Sequence, residues 1–414
     1  MRQLEFFRAS EAHAEKVEAF NQRLAAAGQT YHRLTVEKPF RTMLHRHDSP
    51  VIAERFLCFE NDEVRGGIGI KRLMFRVCDS YDEVAVSVYP VSEGIINPAH
   101  GFIGLMLQKE MLRRFPLMYS LGAPSTTPAK LKQRTGWYSM PVPFHFKVLQ
   151  ARPFLRNIAY LRKKRWLKSA MDIIALSGAD SLGLGLFNLF QKARKRHPDT
   201  RHLIIERFDC WGDWADEVWH RAHHKYMLIG DRSKAALQSL YPDGHENLIK
   251  LHISAKDTGR LLGWAVVTVS QLKSHRYFGD MRLGAIVDML AAPEDAYRVL
   301  SGAVAAVQQS GADLVVSNHS DRRWNEAFER AGMLQWKTNF HLFLSPKLLQ
   351  RFDPIEEYND RFYFTRGDGH GPTQFWLVDD EIEDFALVKS RSANVRPDGN
   401  NSTDLVADNT VGQA

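Results

Sequence analysis

Apolar and polar residues alternate through both halves of the chain in a pattern that predicts strands separated by helices. Between residues 86 and 137, an apolar strand leads into a glycine-containing loop that opens a helical pattern. A second apolar strand follows and stops at residues 122–125, and a short helix then ends at Gly136. This order of elements can form a cofactor cleft, so we take residues 86–137 as the centre of the predicted fold.

The segments before this stretch predict a strand, a helix and a hairpin. Residues 6–10 have strand character, and the helix after them is bounded by Ser10, an N-cap residue, and Gly28, a C-cap residue. Two apolar strands are joined at residues 61–62, an Asn-Asp pair that tolerates the positive φ of a hairpin turn. A further strand is predicted over residues 142–149.

The same order of elements returns after residue 200, which indicates an internal duplication. Strands are predicted at 203–209, within 248–272, and at 283–292, 312–318 and 339–345; helical patterns cover 210–230, 294–309 and 321–332. Two glycine matches share one offset, because Gly263 and Gly332 each lie 196 residues after Gly67 and Gly136 respectively.

Length and composition predict a soluble globular protein with two cores. The chain has 414 residues, of which 44% are hydrophobic and 25% charged. No run approaches the ~20 apolar residues of a membrane span, and we expect a cytoplasmic protein. Cys58, Cys78 and Cys210 are odd in number and widely spaced, so we predict buried free thiols and neither a disulfide framework nor a zinc ribbon.

The net charge of +7 comes from one segment. Residues 151–200 contain eleven Lys or Arg against three Asp, interleaved with apolar residues. This segment is either an amphipathic helix that contacts an anionic membrane surface or acidic partner through residues 152–168, or a solvated connector helix. The sequence therefore predicts five regions: an N-terminal domain (1–150), the basic connector (151–200), a C-terminal domain (201–366), an ordered extension (367–390) and a disordered tail (391–414).

Each half resembles the GNAT fold of acyl-CoA-dependent acetyltransferases, and the pair resembles the double-GNAT proteins found with bacterial polysaccharide biosynthesis. The family has an Arg-Gly-x-Gly-hydrophobic loop after its fourth strand, and the matching positions here are Pro98, Ala99, His100, Gly101, Phe102 and Ile103, followed by Gly104. Its fifth strand ends in a Gly-Phe-Pro-Asn-like turn and the next helix closes in Gly-Trp; the matching positions are Gly122, Ala123, Pro124, Ser125, Gly136 and Trp137. The chain departs from the family at the leading Arg, which is Pro98.

The resemblance implies an α/β fold of two GNAT-like domains in tandem, each a mixed, mostly antiparallel sheet flanked by helices. It implies acetyl-CoA or another acyl-CoA as co-substrate, with no metal. Backbone N–H groups at a helix N-terminus suit pyrophosphate, and the predicted cofactor-binding residues are Val91, His100, Gly101, Phe102, Ile103 and Gly104. The second half has Glu294 and Tyr297 at the corresponding loop, so we place the cofactor in the first half.

Acyl transfer to an amine needs a base for the ammonium proton and an acid near the departing thiolate. The Tyr that many GNAT proteins use is replaced here by Lys132 and by Phe328, although Lys132 could stabilise a thiolate by its charge. Glu93 is the candidate base and Ser125 the candidate donor to thiolate or acceptor, while both are also ordinary loop or capping residues. Asp288 is a candidate for binding the acceptor amine, or for capping a turn.

The predicted function is transfer of an acyl group from acyl-CoA to an amine on a small molecule or glycan precursor of the envelope. The acceptor class comes from the resemblance alone. One alternative is a Fem-like transferase that uses aminoacyl-tRNA, in which case the basic segment would contact RNA; otherwise no nucleic acid is expected. Another alternative is a non-catalytic double-GNAT scaffold. His45, His47 and Asp48, and the group at residues 220–224, lack the ligand spacing of a metal site.

Overall fold

The structure is a computed structural model that describes residues 3–30, 33–36, 49–157, 199–245, 247–275 and 278–369. Most of the basic connector, the extension beyond residue 369, the predicted disordered tail and the group His45, His47 and Asp48 lie outside the described residues.

Strands and helices alternate along the described chain. The strands are β1 (Leu4–Arg8), β2 (Ile52–Glu60), β3 (Glu63–Val77), β4 (Ser80–Ser92), β5 (Met118–Gly122), β6 (Tyr138–Pro141), β7 (Phe144–Val148), β8 (Leu203–Phe208), β9 (Leu228–Gly230), β10 (Ile249–Ala255), β11 (Leu261–Gln271), β12 (Arg282–Ala291), β13 (Leu314–Asn318), β14 (Leu334–Trp336), β15 (His341–Leu344) and β16 (Phe362–Tyr363). The helices are α1 (Ala14–Ala26), α2 (Ile103–Arg114), α3 (Thr127–Arg134), α4 (Ala151–Asn157), α5 (Trp214–Ala222), α6 (Lys234–Leu240), α7 (Ala296–Gln309), α8 (Arg322–Arg330) and α9 (Pro346–Leu349). Among these residues, no helix has both the length and the apolar character needed to cross a bilayer.

The strands form two sheets. The first has the order β1-β2-β3-β4-β5-β15-β6, with β9 and β16 added beside β3, and the second has the order β14-β7-β13-β12-β11-β10-β8. Most neighbouring strands are antiparallel, while β4–β5, β12–β13 and β9–β16 are parallel. The predicted fold class, two mixed, mostly antiparallel sheets flanked by helices, is confirmed.

The two halves exchange a strand. β7 comes from the first half and lies between β13 and β14 of the second sheet. β15 comes from the second half and lies between β5 and β6 of the first sheet. Each sheet is therefore completed by the other half of the chain, and neither sheet is built from one continuous stretch of residues.

The turns predicted from sequence are present, and one of the two glycine matches is corrected. Asn61 and Asp62 both have positive φ between β2 and β3, and Gly136 and Gly332 have φ of 83° and 73° after α3 and α8. The counterpart of Gly263 is however Gly66, because a Cβ on either residue would press against the carbonyl of the next strand and the helix above it. The match of Gly67 to Gly263 was wrong by one residue.

The predicted helix over residues 210–230 ends earlier than expected. It stops at Ala222, and residues 228–230 form β9, which pairs with the end of β3 at Val77↔Leu228. The apolar residues 228–230 also fit the periodicity of a helix, but they are buried by pairing with β3, which is distant in the sequence.

The two faces of the first sheet have different neighbours. The helix face packs against α2 and α3 in a cluster that contains Phe56, Ile70, Ala85, Met118, Ile103 and Ala129. The opposite face, which we call the inner face, packs against α1 at one end through Leu57 and Val91. At its other end the inner face packs against the second half through Val86, Val88 and Tyr119.

Candidate functional site

The first sheet opens into a gap between β4 and β5. These parallel strands pair only at Ala85↔Met118 and Val86↔Tyr119, after which both continue without pairing to each other. β4 also contains a bulge between Val88 and Val91, where Tyr89 has a φ of 46°. A bulge bends its strand and increases the local twist, so it favours the divergence of β4 from β5.

The loop from β4 to α2 is held close to the mouth of this gap. The side chain of Asn97 accepts a hydrogen bond from the Ala99 N–H at 3.0 Å and so caps a short 3-10 turn over residues 98–100. A Cβ on Gly94 would lie 2.8 Å from the Cα of Gly101, so the two glycines allow a tight backbone approach. The first turn of α2 directs N–H groups without intrahelical acceptors towards the loop.

The predicted cofactor-binding residues surround this turn in different environments. Val91 is buried on the inner face beside α1, and Ile103, the first residue of α2, is buried against the helix face. Gly101 ends the 3-10 turn before Phe102, the N-cap of α2. A Cβ on Gly104 would make only an ordinary contact with Ser92. His100 is buried, and its Nδ1 lies 3.2 Å from the carboxylate of Glu60. Binding of acyl-CoA by these residues stays a prediction.

The helix face holds buried polar groups that the described residues leave unpaired. Ser87 Oγ and Trp137 Nε1 are buried and have no hydrogen-bonding partner among these residues. Lys132 on α3 is 7% exposed, and its Nζ lies 5.6 Å from the centre of the Trp137 ring. No carboxylate among the described residues pairs with this ammonium, and burial lowers the pKa of Lys132 to about 8. Buried polar groups usually have partners, so this arrangement fits a site that a ligand completes.

We expect Lys132→Met to stabilise the ligand-free protein by about 1–3 kcal/mol at pH 7, because it removes a buried, unpaired charge. The folded pKa of about 8 lies below the ordinary value of 10.5, so the unfolded chain binds more protons between these pH values. Wild-type stability should therefore rise towards that of the variant from about pH 8 to 10.5. Urea unfolding of both proteins across this range measures the difference. Equal stabilities at pH 7 would contradict the burial of an uncompensated ammonium.

The corresponding gap in the second half is filled by the chain itself. β12 and β13 pair over four residue pairs, and residues 362–365 then lie between their diverging ends. On the β13 side, the Phe364 N–H donates to Ser320 Oγ at 2.7 Å, and the Phe364 carbonyl accepts from the Ser320 N–H at 3.1 Å. On the β12 side, Thr365 Oγ1 donates to Asp288 at 3.2 Å.

Asp288 belongs to a buried ion-pair network at this filled gap. Its Oδ2 accepts hydrogen bonds from Arg232 Nε at 2.9 Å and from the Tyr241 hydroxyl at 2.8 Å. Arg232 also donates through Nη2 to Asp368 Oδ1 at 2.6 Å. The Asp288 side chain is buried and its oxygens are occupied. These contacts favour a structural role and lend no support to the prediction that Asp288 binds an acceptor amine.

The two catalytic candidates follow different strands, Glu93 after β4 and Ser125 after β5. Glu93 is buried, and its carboxylate accepts from Arg23 Nε and from Arg65 Nη1, each at 2.8 Å. Burial alone would raise the pKa of Glu93, but these two guanidinium groups lower it, which weakens the group as a base near neutral pH. Ser125 is exposed in the turn after β5, one residue before Thr126, the N-cap of α3. Both catalytic roles stay predictions.

Sequence reasoning missed two polar residues near the gap, Ser87 and Arg55. Arg55 lies in the apolar run of β2, where alternation places it on the same face as Leu57. This alternation was the signal that could have identified a buried cation. No group of three or more His, Cys, Asp or Glu with metal-binding geometry occurs in the described part of the chain.

No protein-family model and no curated protein sequence matches this chain. Similar solved structures include a GCN5-related N-acetyltransferase from Anabaena variabilis ATCC 29413, with 11% identity, a TM-score of 0.48 and coverage of 82% of this chain and 72% of that one. N-myristoyltransferase of Saccharomyces cerevisiae with bound myristoyl-CoA and inhibitors has 10% identity, a TM-score of 0.47 and coverage of 83% and 80%. A conserved protein of unknown function from Enterococcus faecalis V583, described as a probable N-acyltransferase, has 10% identity, a TM-score of 0.45 and coverage of 85% and 75%. At these values the likeness assigns no activity or residue role to this chain, and the fold rests on the strand order described above.

Proposed function

We propose that the first half binds acyl-CoA in the gap between β4 and β5 and transfers its acyl group to an amine, in the manner that the GNAT-like order of elements implies. The observation that carries this proposal is the difference between the two gaps. The gap in the first half has no chain segment between its strands among the described residues, whereas residues 362–365 occupy the gap in the second half. One acyl-CoA per chain is therefore expected.

The loop chemistry supports the same half. The first turn of α2 offers backbone N–H groups and the positive end of the helix dipole, which suit a diphosphate. At the start of α7 in the second half, Asp295 is instead buried and paired with Arg260 at 2.8 Å, and Glu294 is exposed. Two carboxylates at that position disfavour a phosphate group.

The proposed reaction joins the amine nitrogen to the thioester carbonyl carbon and breaks the carbon–sulfur bond. The electron pair of that bond leaves on sulfur as a thiolate, while the amine loses one proton to a base. Lys132 lies on the helix face at this gap, and its ammonium would stabilise the thiolate or donate a proton to it. An envelope precursor as the acceptor stays part of the proposal, resting on the sequence resemblance.

We expect saturating acetyl-CoA to raise the Tm of the wild-type protein, because a ligand that binds only the folded state stabilises it. Gly101→Glu should abolish the rise, since it adds a bulky carboxylate where the diphosphate is proposed to bind. Ala19→Glu is the matched control, because it adds the same charge at an exposed position of α1. Thermal unfolding followed by circular dichroism measures the shift.

The outcomes separate the proposed function from its alternatives. Stoichiometry of one acetyl-CoA per chain by isothermal titration calorimetry agrees with the proposal, and a stoichiometry of two would contradict the filled second gap. No shift at millimolar acetyl-CoA, in a protein that folds normally, would favour a scaffold without cofactor. Retention of aminoacyl-tRNA without acetyl-CoA binding would favour a Fem-like transferase.

A further inference from the structure

The inner face of the first sheet carries a buried arginine, Arg55. This residue on β2 is 6% exposed, and its Nε and Nη1 atoms are buried without a hydrogen-bonding partner in the part of the chain that the structure describes. No carboxylate among the described residues forms an ion pair with it. Burial lowers the pKa of Arg55 to about 10, so the guanidinium stays charged at neutral pH. A buried, unpaired charge lowers the stability of the folded protein, so the presence of Arg55 at this position suggests a functional role.

The backbone register places this guanidinium next to the gap. Arg55 pairs with Gly69 on β3, and Gly69 pairs with Val88 on β4, two residues beyond the last pairing of β4 with β5. Because Gly69 has no side chain, the long arginine side chain can extend across β3 towards the bulge of β4. Tyr89 in that bulge interacts electrostatically with Arg55, which agrees with this direction.

The second half provides an internal comparison. With Gly66 and Gly263 as counterparts, the residue equivalent to Arg55 is Lys250 on β10, which pairs with Val266. Lys250 is also buried, yet its Nζ donates to Asp243 Oδ1 at 2.9 Å and to the Asp209 carbonyl at 2.8 Å. In the second half, whose gap is filled, an acidic residue of the same half neutralises this cation. In the first half, whose gap is proposed to bind acyl-CoA, none of the described residues does so for Arg55.

We propose that Arg55 binds an anionic group, a carboxylate or a phosphate, on the acyl acceptor. This inference rests on the proposed function, and it names the acceptor as an amine that carries an oxyanion. A guanidinium binds both groups through two parallel hydrogen bonds, which also fix the orientation of the acceptor. The start of α2 and Lys132 pack with the helix face, so acyl-CoA is assigned to that side and the acceptor approaches from the inner face. The acceptor amine then meets the thioester within the gap.

Binding of simple anions tests the site without any enzyme activity. We expect sodium phosphate or sodium acetate, at constant ionic strength set with sodium chloride, to raise the Tm of the wild-type protein and not of Arg55→Met. The anion that gives the larger shift identifies the preferred oxyanion. Arg8→Met is the matched control, because Arg8 is 68% exposed on the neighbouring strand β1. Without anion, Arg55→Met should be more stable than wild type, since it removes an unpaired buried charge. Equal anion shifts in both proteins would overturn the proposal.

Acceptor selectivity gives a second test. Acetyl transfer is measured for pairs of amines that differ only in the anion, an amino acid against its amide and an amino sugar against its phosphate. We expect the wild-type protein to favour the anionic member of one pair by roughly 10²-fold in kcat/KM, mainly through a lower KM. Arg55→Met should lose this preference, and Arg55→Lys should keep part of it. An unchanged preference in Arg55→Met would refute the role of Arg55. If acetyl-CoA does not raise the Tm of the wild-type protein, the proposed function is refuted separately, because the Tm rise caused by simple anions does not depend on acetyl-CoA binding.

Discussion

Replacing Arg232 with methionine should destabilise the protein by about 3–5 kcal/mol, one of the largest effects expected for a single substitution in this chain. Arg232 is 1% exposed and lies between two buried carboxylates, with Nε 2.9 Å from Asp288 and Nη2 2.6 Å from Asp368. Methionine has a similar volume, so the loss comes from two acids that are left in the interior without their cation. The free energy of unfolding from urea titration measures it.

A matched substitution separates this charge effect from the general cost of losing an arginine. Arg298 on α7 is 53% exposed, and its Nη1 lies 4.0 Å from Asp295, so Arg298→Met should change stability by less than about 0.5 kcal/mol. Adding Asp288→Asn and Asp368→Asn to Arg232→Met should restore part of the loss, because the remaining groups are neutral. Equal effects of the two single substitutions would contradict a buried network at Arg232.

Some buried cations of the molecule have partners and others have none among the described residues. Residues 367–369 provide partners for two of them, Arg232 in the second half and Lys71 on β3 of the first half. Asp368 pairs with Arg232, and the carbonyl groups of residues 367–369 lie 3.2–3.5 Å from Lys71 Nζ. Lys132 on the helix face and Arg55 on the inner face have no such acid among the described residues. Under the proposed function, anionic groups of the substrates would supply the missing charge to both cations.

Local sequence patterns were enough to predict most elements of this fold. The turn between β2 and β3, the end of α1 at Gly28 and the close of α3 at Gly136 each depend on a few neighbouring residues with restricted backbone preferences. The strand, the glycine-containing loop and the helix that follow one another over residues 86–114 were also predicted from sequence, while binding of a cofactor there stays a prediction. Turns, helix ends and the order of elements depend on short segments, so hydrophobic periodicity and capping residues are enough to predict them.

Local sequence patterns did not predict the exchange of β7 and β15 between the two sheets. The alternation in Phe144–Val148 predicts a strand, yet it carries no information on which sheet that strand joins. Its partners, β13 and β14, lie more than 160 residues away in the sequence. For the same reason β9 was assigned to a helix, since its pairing with β3 depends on a distant contact.

The sequence identified charged residues of the candidate site but not their hydrogen-bonding partners. Glu93 and Asp288 stand out in sequence as acids beside apolar strands, and the structure pairs both with arginines that lie far away in the chain. Arg55 and Ser87 are the opposite case, because each has the sequence context of an ordinary strand residue and has buried polar atoms without a partner within the described ranges. Pairing of buried charges is a tertiary property, so a single sequence identifies the candidates without showing which are already satisfied.

Under the proposed function, Lys132→Met should lower the rate of acetyl transfer by about 10²-fold or more, the usual contribution of a group that protonates or stabilises a leaving atom. The acetyl-CoA-induced rise in Tm should persist, since the diphosphate is assigned to the α2 loop. Lys130→Met is the matched control, because Lys130 is exposed on the same helix. Initial rates of CoA release with a saturating amine acceptor measure the effect.

The pH dependence of the same reaction identifies the active form of Lys132. Only the ammonium can stabilise or protonate a thiolate, and the pKa of Lys132 is about 8, so the wild-type kcat should fall as the pH rises above this value. Lys132→Met should have no such fall. If Lys132→Met is slower but its kcat falls with pH as in the wild-type protein, the fall in kcat at high pH belongs to another group. Because the same substitution is expected to stabilise the fold at pH 7, a simultaneous loss of rate would distinguish a functional lysine from a structural one.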